Sequence, residues 1–197
     1  MEQEKERRII MQKKTENIRM LTYSAIFTAL IAVGAFIRVP VPLWPFTLQT
    51  FFTTSAALLL GARYGALSCV AYMLLGLMGL PIFTGGGGPQ YVFHPTFGCI
   101  IGFAVGAVVA GTIVQRAKKR NFILYLTAGL VDMFAVYLIG IIWFWGVKTF
   151  YMRDPMGLWA IFMTCFVPTI GIDILKCAGA AVLAARISII RSLPVKK

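Results

Sequence analysis

Asp173 and Lys176 stand three residues apart inside an otherwise apolar run, Leu158 to Ala185. On a helix that spacing puts both side chains on one face. A charged side chain at the centre of a lipid-embedded helix costs at least about 2.5–3.5 kcal/mol, so such residues turn to the protein interior and mark a pathway or a site. The bland alternative is a structural pair whose charges cancel. Of the chain's seven acids, four lie in the first nineteen residues and Asp154 lies in a proline-containing loop. That leaves Asp132 as the other acid within an apolar run. It has no cation nearby in sequence, and one polar residue can simply bond a neighbouring helix.

The second place where chemistry is possible is the stretch GLMGLPIFTGGGGPQYVFHPTFGCIIGF, Gly76 to Phe103. Four consecutive glycines (Gly85 to Gly88), Pro89, Pro95 and the one histidine, His94, exclude a continuous helix. A phosphate-cradling P-loop would need Gly-Lys-Ser/Thr leading into a helix, but Gly88 is followed by Pro89 and Gln90. The flanks instead carry Phe83, Tyr91 and Phe93 with Thr84 and Thr96. Aromatic walls beside free backbone N–H groups suit a small polar ligand with a flat or apolar body. His94 is read as a gate or a structural hydrogen-bonder. It has no partner at catalytic spacing, neither HExxH nor a serine nucleophile elbow, and no catalytic residue is assigned.

The elements that must position these residues follow from composition. Of 197 residues, 59% are hydrophobic and 13% charged, where a soluble domain carries about a quarter charged. The chain is expected to be an all-α integral membrane protein, a single domain over residues 1–197. Six spans are expected: Met20 to Ile37, Thr47 to Leu60, Gly65 to Leu80, Phe97 to Val114, Phe122 to Val147 and Leu158 to Ala185. Residues 1–19, a mixed-charge segment compatible with an amphipathic helix lying on the membrane, and residues 186–197 are expected to be cytoplasmic tails outside the bundle of residues 20–185. The second run is short for a full crossing and opens on a polar cluster that includes Thr47, Gln49, Thr50, Thr53, Thr54 and Ser55. Tyr72 lies within the third. Arg38 to Phe46 is expected to be an extended connection, because each proline pushes the preceding residue out of helical geometry. The fourth run has Gly98, Gly102, Gly106 and Ala110 at intervals of four, a ridge of small residues for close helix packing.

The net charge is +12, yet the basic residues fall at segment ends rather than on one folded patch, which argues for membrane topology and against nucleic acid. Most of the 19 lysines and arginines lie in the N-terminal tail, at Arg63, in the QRAKKRN turn and in the C-terminal tail. Both termini are therefore expected on the cytoplasmic side and the glycine loop on the outer face. The four cysteines lie in or beside apolar runs without CxxC spacing, as small buried hydrophobes, so no metal or cofactor is expected.

The segments VPVPLWPFTLQTFF, LLLGARYGALS, GLMGLPIFTGGGG and HPTFGCIIGF, with the Asp173-Ile-Leu-Lys176 step, resemble the biotin-specific membrane subunit (S component, BioY type) of energy-coupling-factor (ECF) transporters. His94 stands where that pattern carries glycine. The resemblance implies a six-helix S-component fold in a bacterial cell membrane that captures biotin from outside. It also implies partners: a separate membrane scaffold subunit and two cytoplasmic ATPases, besides the lipid around the spans. The family's substrate pocket, carried over to matching positions, implies Phe83, Thr84, Gly85, Gly86, Tyr91, Asp173 and Lys176, with Gln49, Tyr72 and Thr96 as additional candidates. Its scaffold-contacting face of small residues implies Ala25 and Ala29, continued by Ala32 or Val33. Biotin's chemistry is compatible: an aspartate can accept from ureido N–H groups, a lysine can meet the ureido oxygen or the carboxylate, and aromatic rings can cover the sulfur ring. The competing function is a stand-alone, proton-coupled secondary transporter of a small carboxylate or vitamin, using Asp132 or the Asp173–Lys176 pair. Against it, the six runs show no evident inverted repeat with broken helices.

Overall fold

In lipid every backbone polar group needs a partner within the protein, so apolar runs of this length fold as helices. The computed structural model describes residues 1–39 and 46–192. Among the described residues, five helices are long and apolar enough to cross a membrane: Glu6–Phe36, Gln49–Leu77, Phe97–Arg116, Phe122–Tyr151 and Leu158–Ile187.

Helix α1, Glu2–Phe36, is continuous from the charged segment into the apolar one. The charged residues are thus helical, as an amphipathic segment at the membrane would be, and run into the first apolar run without a break. Glu, Lys, Arg and Gln are good helix formers, no glycine or proline interrupts them, and Glu4 pairs with Arg8 one turn on at 2.7 Å. Two short strands follow, β1 (Arg38–Val39) and β2 (Phe46–Thr47), paired antiparallel with Arg38 opposite Thr47. The three prolines and Trp44 of the expected extended connection lie outside the described residues.

Helix α2, Gln49–Leu77, contains the break that organises the bundle. Gly61 has φ 78° and ψ −175°, a conformation open to glycine and strained for other residues. There the chain folds back on itself. Gln49 Nε2 donates to Tyr72 Oη at 2.7 Å, although residues 23 apart would be separated by about 35 Å along a straight helix. A Cβ on Gly65 would lie 2.8 Å from Ala57 Cα, so the two limbs are in backbone contact. The expected second and third spans are thus two antiparallel limbs, and the six apolar runs form five long helices, one of them doubled back. The first limb's polar cluster is shielded by protein: Thr50, Thr53, Thr54 and Ser55 are all buried.

The glycine loop leads through a 3₁₀ turn, Pro89–Phe93, into α3, Phe97–Arg116. The small-residue ridge of α3 faces α4, Phe122–Gly146. A Cβ on Gly98 would strike Trp143, one on Gly102 would lie 2.8 Å from Val136 Cα, and one on Gly106 would strike Asp132. Asn121 caps α4, its side-chain oxygen accepting from Leu124 N at 2.9 Å. The last apolar run is not one regular helix. It passes from α5 (Leu158–Ile161) through a π turn (Phe162–Phe166) into α6 (Val167–Ser192). Pro168 has no N–H to donate to the preceding turn, which accounts for the local widening of the hydrogen-bond ladder.

Candidate substrate-binding site

The Asp173–Lys176 pair lies on α6, facing the doubled-back α2. Lys176 Nζ is 2.7 Å from Asp173 Oδ1 and also donates to the Thr47 carbonyl at 2.6 Å. The other carboxylate oxygen of Asp173 accepts from Tyr137 Oη at 2.7 Å, and Tyr137 is 2.8 Å from Thr169 Oγ1. The side chains of Lys176 and Asp173 are 11% and 8% exposed. Removing two charges from water is costly unless geometry is good and further hydrogen bonds satisfy both groups. Here three elements supply those bonds, β2, α4 and α6, the last from two of its turns.

This network forms one end of a cavity enclosed by β2, both limbs of α2, the glycine loop, α3, α4 and α6. Six of the sequence-derived candidates line it: Gln49, Tyr72, Thr84, Thr96, Asp173 and Lys176. Ile100, Phe103 and Val136 add apolar lining, and Thr84 and Thr96 line it from the glycine loop and its junction with α3.

The other loop candidates sit behind this wall rather than in it. Phe83 is buried between Tyr72 and Tyr91, with ring centroids 5.4 and 4.6 Å away, and fills the space left by Gly76. Tyr91 Oη lies 3.1 Å from both Thr84 Oγ1 and Thr96 Oγ1 and accepts from Gly85 N at 3.3 Å. Gly86 pairs with Phe83 in an isolated bridge at φ 120°. Phe83, Gly85, Gly86 and Tyr91 therefore hold the lining threonines in place. The physical reason is size: aromatic rings anchor a glycine loop by burying themselves beneath it, leaving the short hydroxyl side chains to face the cavity.

His94 stacks on Tyr91, with centroids 4.7 Å apart and planes at 14°. Its Nδ1 lies 2.7 Å from Thr96 Oγ1 and accepts from Thr96 N at 3.3 Å. That places the imidazole proton on Nε2 in the neutral ring. Partial desolvation lowers its pKa below the ordinary histidine value. His94 thus orients Thr96 from outside the lining.

Residues that sequence reasoning missed include Thr47, Thr50, Tyr137 and Thr169, together with Phe46 and Cys99. Thr169 was findable, since it precedes Asp173 by one helical turn. Tyr137 carried no local signal, because its partner is 36 residues away. Asp132 is elsewhere. It is 0% exposed, its Oδ2 accepts from Thr54 Oγ1 at 2.5 Å, and its Oδ1 rests against Gly106.

On α1, Ala25 and Ala29 face outward, whereas Ala32 packs against the core. Val33, 50% exposed, continues the outward face in place of Ala32. The opposite face is held by Ser24 and Thr28, which donate to the carbonyls of Tyr64 and Ser68 at 3.0 and 3.1 Å.

The arrangement can bind, at one end, an uncharged polar group that matches both an acid and an ammonium, with an apolar body beside it. Comparison with known proteins accords with this geometry. The BioY family model matches residues 7–192. A probable biotin transporter BioY of Lysinibacillus sphaericus is 37% identical over 174 residues, covering 88% of this chain and 89% of its own. The biotin transporter BioY of Thermotoga maritima is 40% identical over 171 residues, covering 86% and 96%. A crystal structure of the S-component for biotin from an ECF-type ABC transporter superposes with a TM-score of 0.76 at 28% identity, covering 88% of this chain and 93% of that one. With its helical bundle, polar-ended cavity and glycine loop, the chain belongs to the BioY family.

Proposed function

We propose that this chain is the biotin-binding membrane subunit of an ECF-type transporter in a bacterial cell membrane. The observation that carries the reading is the cavity itself, lined by a hydrogen-bonded Asp173–Lys176 pair, by apolar Ile100, Phe103 and Val136, and by threonines held by the glycine loop. A ureido ring has two N–H donors and one carbonyl, which an acid and an ammonium satisfy together. A site built from buried polar groups rejects analogues that leave those groups unpaired.

The chain crosses the membrane six times, the two limbs of α2 counting separately, with both termini in the cytoplasm and the glycine loop outside. The first limb is too short to cross alone, at about 1.5 Å per residue against a core of about 30 Å, and is sheltered by its neighbours. ATP hydrolysis belongs to two cytoplasmic subunits, and a membrane scaffold subunit docks on the outward face of α1 at Ala25 and Ala29. Close packing of small residues is the form of helix association that lipid favours.

The test is equilibrium binding of labelled biotin to the purified chain without any partner. Saturable, one-to-one binding is expected. It should fall by about 100-fold in Lys176→Ala, with folding retained, because the buried acid is left unpaired. Unchanged binding in Lys176→Ala and Asp173→Ala would overturn the site. Proton-driven uptake by the chain alone in liposomes would favour a secondary transporter instead.

A further inference from the structure

The rim of the cavity carries a cation to which that reading gives no role. Arg38 is exposed, follows α1, and sits opposite Thr47 in the β1–β2 pair. Its Nη1 donates to the carbonyl of Thr84. Thr47 and Thr84 both line the cavity, so Arg38 spans its rim from the hairpin to the glycine loop. Among the described residues no carboxylate pairs with Arg38, and residues 40–45, Pro-Val-Pro-Leu-Trp-Pro, contain no acid. A guanidinium has five N–H donors in a fixed fork, and the Thr84 carbonyl is a neutral acceptor.

The inner end has no such spare charge. Lys176 is matched by Asp173 at 2.7 Å and anchored on the Thr47 carbonyl at 2.6 Å, while Asp173 also accepts from Tyr137. The pair is formally neutral and suits a polar group without charge. A ligand carboxylate placed there would introduce an unmatched negative charge beside Asp173, which is costly away from water. Lys176 and Thr47 are both partly buried whereas Arg38 is exposed, so the hairpin sets the unmatched cation one strand outward from the matched one.

We propose that Arg38 recognises the substrate's carboxylate at the cavity mouth, with the substrate's uncharged polar end against Asp173–Lys176. The inference rests on the reading of the chain as a biotin-binding subunit and orients biotin within it: ureido ring inward, valerate carboxylate outward. Guanidinium–carboxylate pairs are charge-assisted and frequently bidentate, and a carboxylate is a stronger acceptor than the peptide carbonyl that Arg38 now holds. Binding would also tie the hairpin to the glycine loop through the ligand.

The experiment measures equilibrium binding of biotin and of its uncharged methyl ester to the purified chain in lipid nanodiscs. It compares wild type with Arg38→Gln and Arg38→Lys. Wild type is expected to prefer biotin over the ester. Arg38→Gln should weaken biotin about 30-fold and the ester less than about threefold, the loss expected for a charge-assisted hydrogen-bonded pair. Arg38→Lys should fall between for biotin. Equal weakening of both ligands, or no weakening of biotin, would overturn the inference and leave Arg38 as a strap between two loops. If Arg38→Gln binds neither ligand, Arg38→Lys decides: weaker biotin with unchanged ester supports the proposal, and loss of both overturns it. Wild type that binds no biotin at all would instead sink the reading of the chain as a biotin subunit, and this inference with it.

Discussion

Two buried acids in one bundle have opposite surroundings. Asp173 has a lysine, a tyrosine and a cavity; Asp132 has one threonine and a glycine ridge. Both are buried, so burial alone does not distinguish a site from a strut. What separates them is what else is within reach. Around Asp173, α6, α4 and β2 converge and leave space between them. Around Asp132, α3 and α4 close to backbone contact: Gly106 and Gly102 allow an approach in which Asp132 serves to join α4 to the first limb of α2. An acid next to a cavity is available to a ligand, and one under a glycine ridge holds helices together.

The sharpest way to break this comparison is to neutralise each acid in turn. Asp173→Asn should reduce biotin binding by about 100-fold, because Lys176 loses its counter-charge. Asp132→Asn should leave affinity within about threefold. Titration of labelled biotin checks both, and equal losses would erase the distinction between site and strut.

Backbone changes rank next, and they report on the strut side. Gly61→Ala should destabilise the fold by about 2 kcal/mol or more, since the left-handed fold-back is strained for any side chain and Gln115 lies over the position. Gly102→Val should separate α3 from α4, where a Cβ would already sit 2.8 Å from Val136 Cα. Thermal unfolding in detergent reads both, and wild-type melting in Gly61→Ala would contradict the fold-back.

Tyr137→Phe removes one hydrogen bond to Asp173 without disturbing packing. It should weaken binding by about tenfold, as expected for a bond to a charged group at about 1.5–3 kcal/mol minus relaxation. Binding indistinguishable from wild type would show that Tyr137 only fills space.

The smallest effect concerns His94. Its pKa is lowered in the folded chain, so the unfolded chain binds the proton first as pH falls. The contribution of neutral His94 is complete above the unfolded value of about 6.5 and declines as pH drops below it. Between pH 7 and pH 5 the wild type should lose slightly more thermal stability than His94→Gln. A larger loss in the variant would reverse the sign of this argument.

Much of the architecture was legible in the sequence. Apolar run lengths located the five long helices, although two of the six expected runs share α2, and the one-face spacing of Asp173 and Lys176 survives in an ion pair at 2.7 Å. The glycines at intervals of four, Gly98, Gly102 and Gly106, became the α3–α4 contact. The helicity of the charged residues of α1 was compatible with their composition, but its unbroken continuation into the apolar run was not legible, because no local pattern marks where a helix passes from one to the other. The cavity wall was legible only in part. The loop's aromatics attract attention by type, yet Phe83 and Tyr91 turn inward to support Thr84 and Thr96.

The sequence by itself determined the class of the protein, its helical runs, the glycine break and the local Asp–Lys pairing. Each of these depends on hydropathy, backbone freedom or spacing within a few residues. Tertiary structure alone decided that Gln49 meets Tyr72, that Tyr137 closes on Asp173, and that Arg38 reaches Thr84. These partners are 23, 36 and 46 residues apart, brought together by a fold-back at Gly61 and by helices sliding to the register that small residues permit. Such registers depend on shape complementarity between distant segments, which no local pattern records.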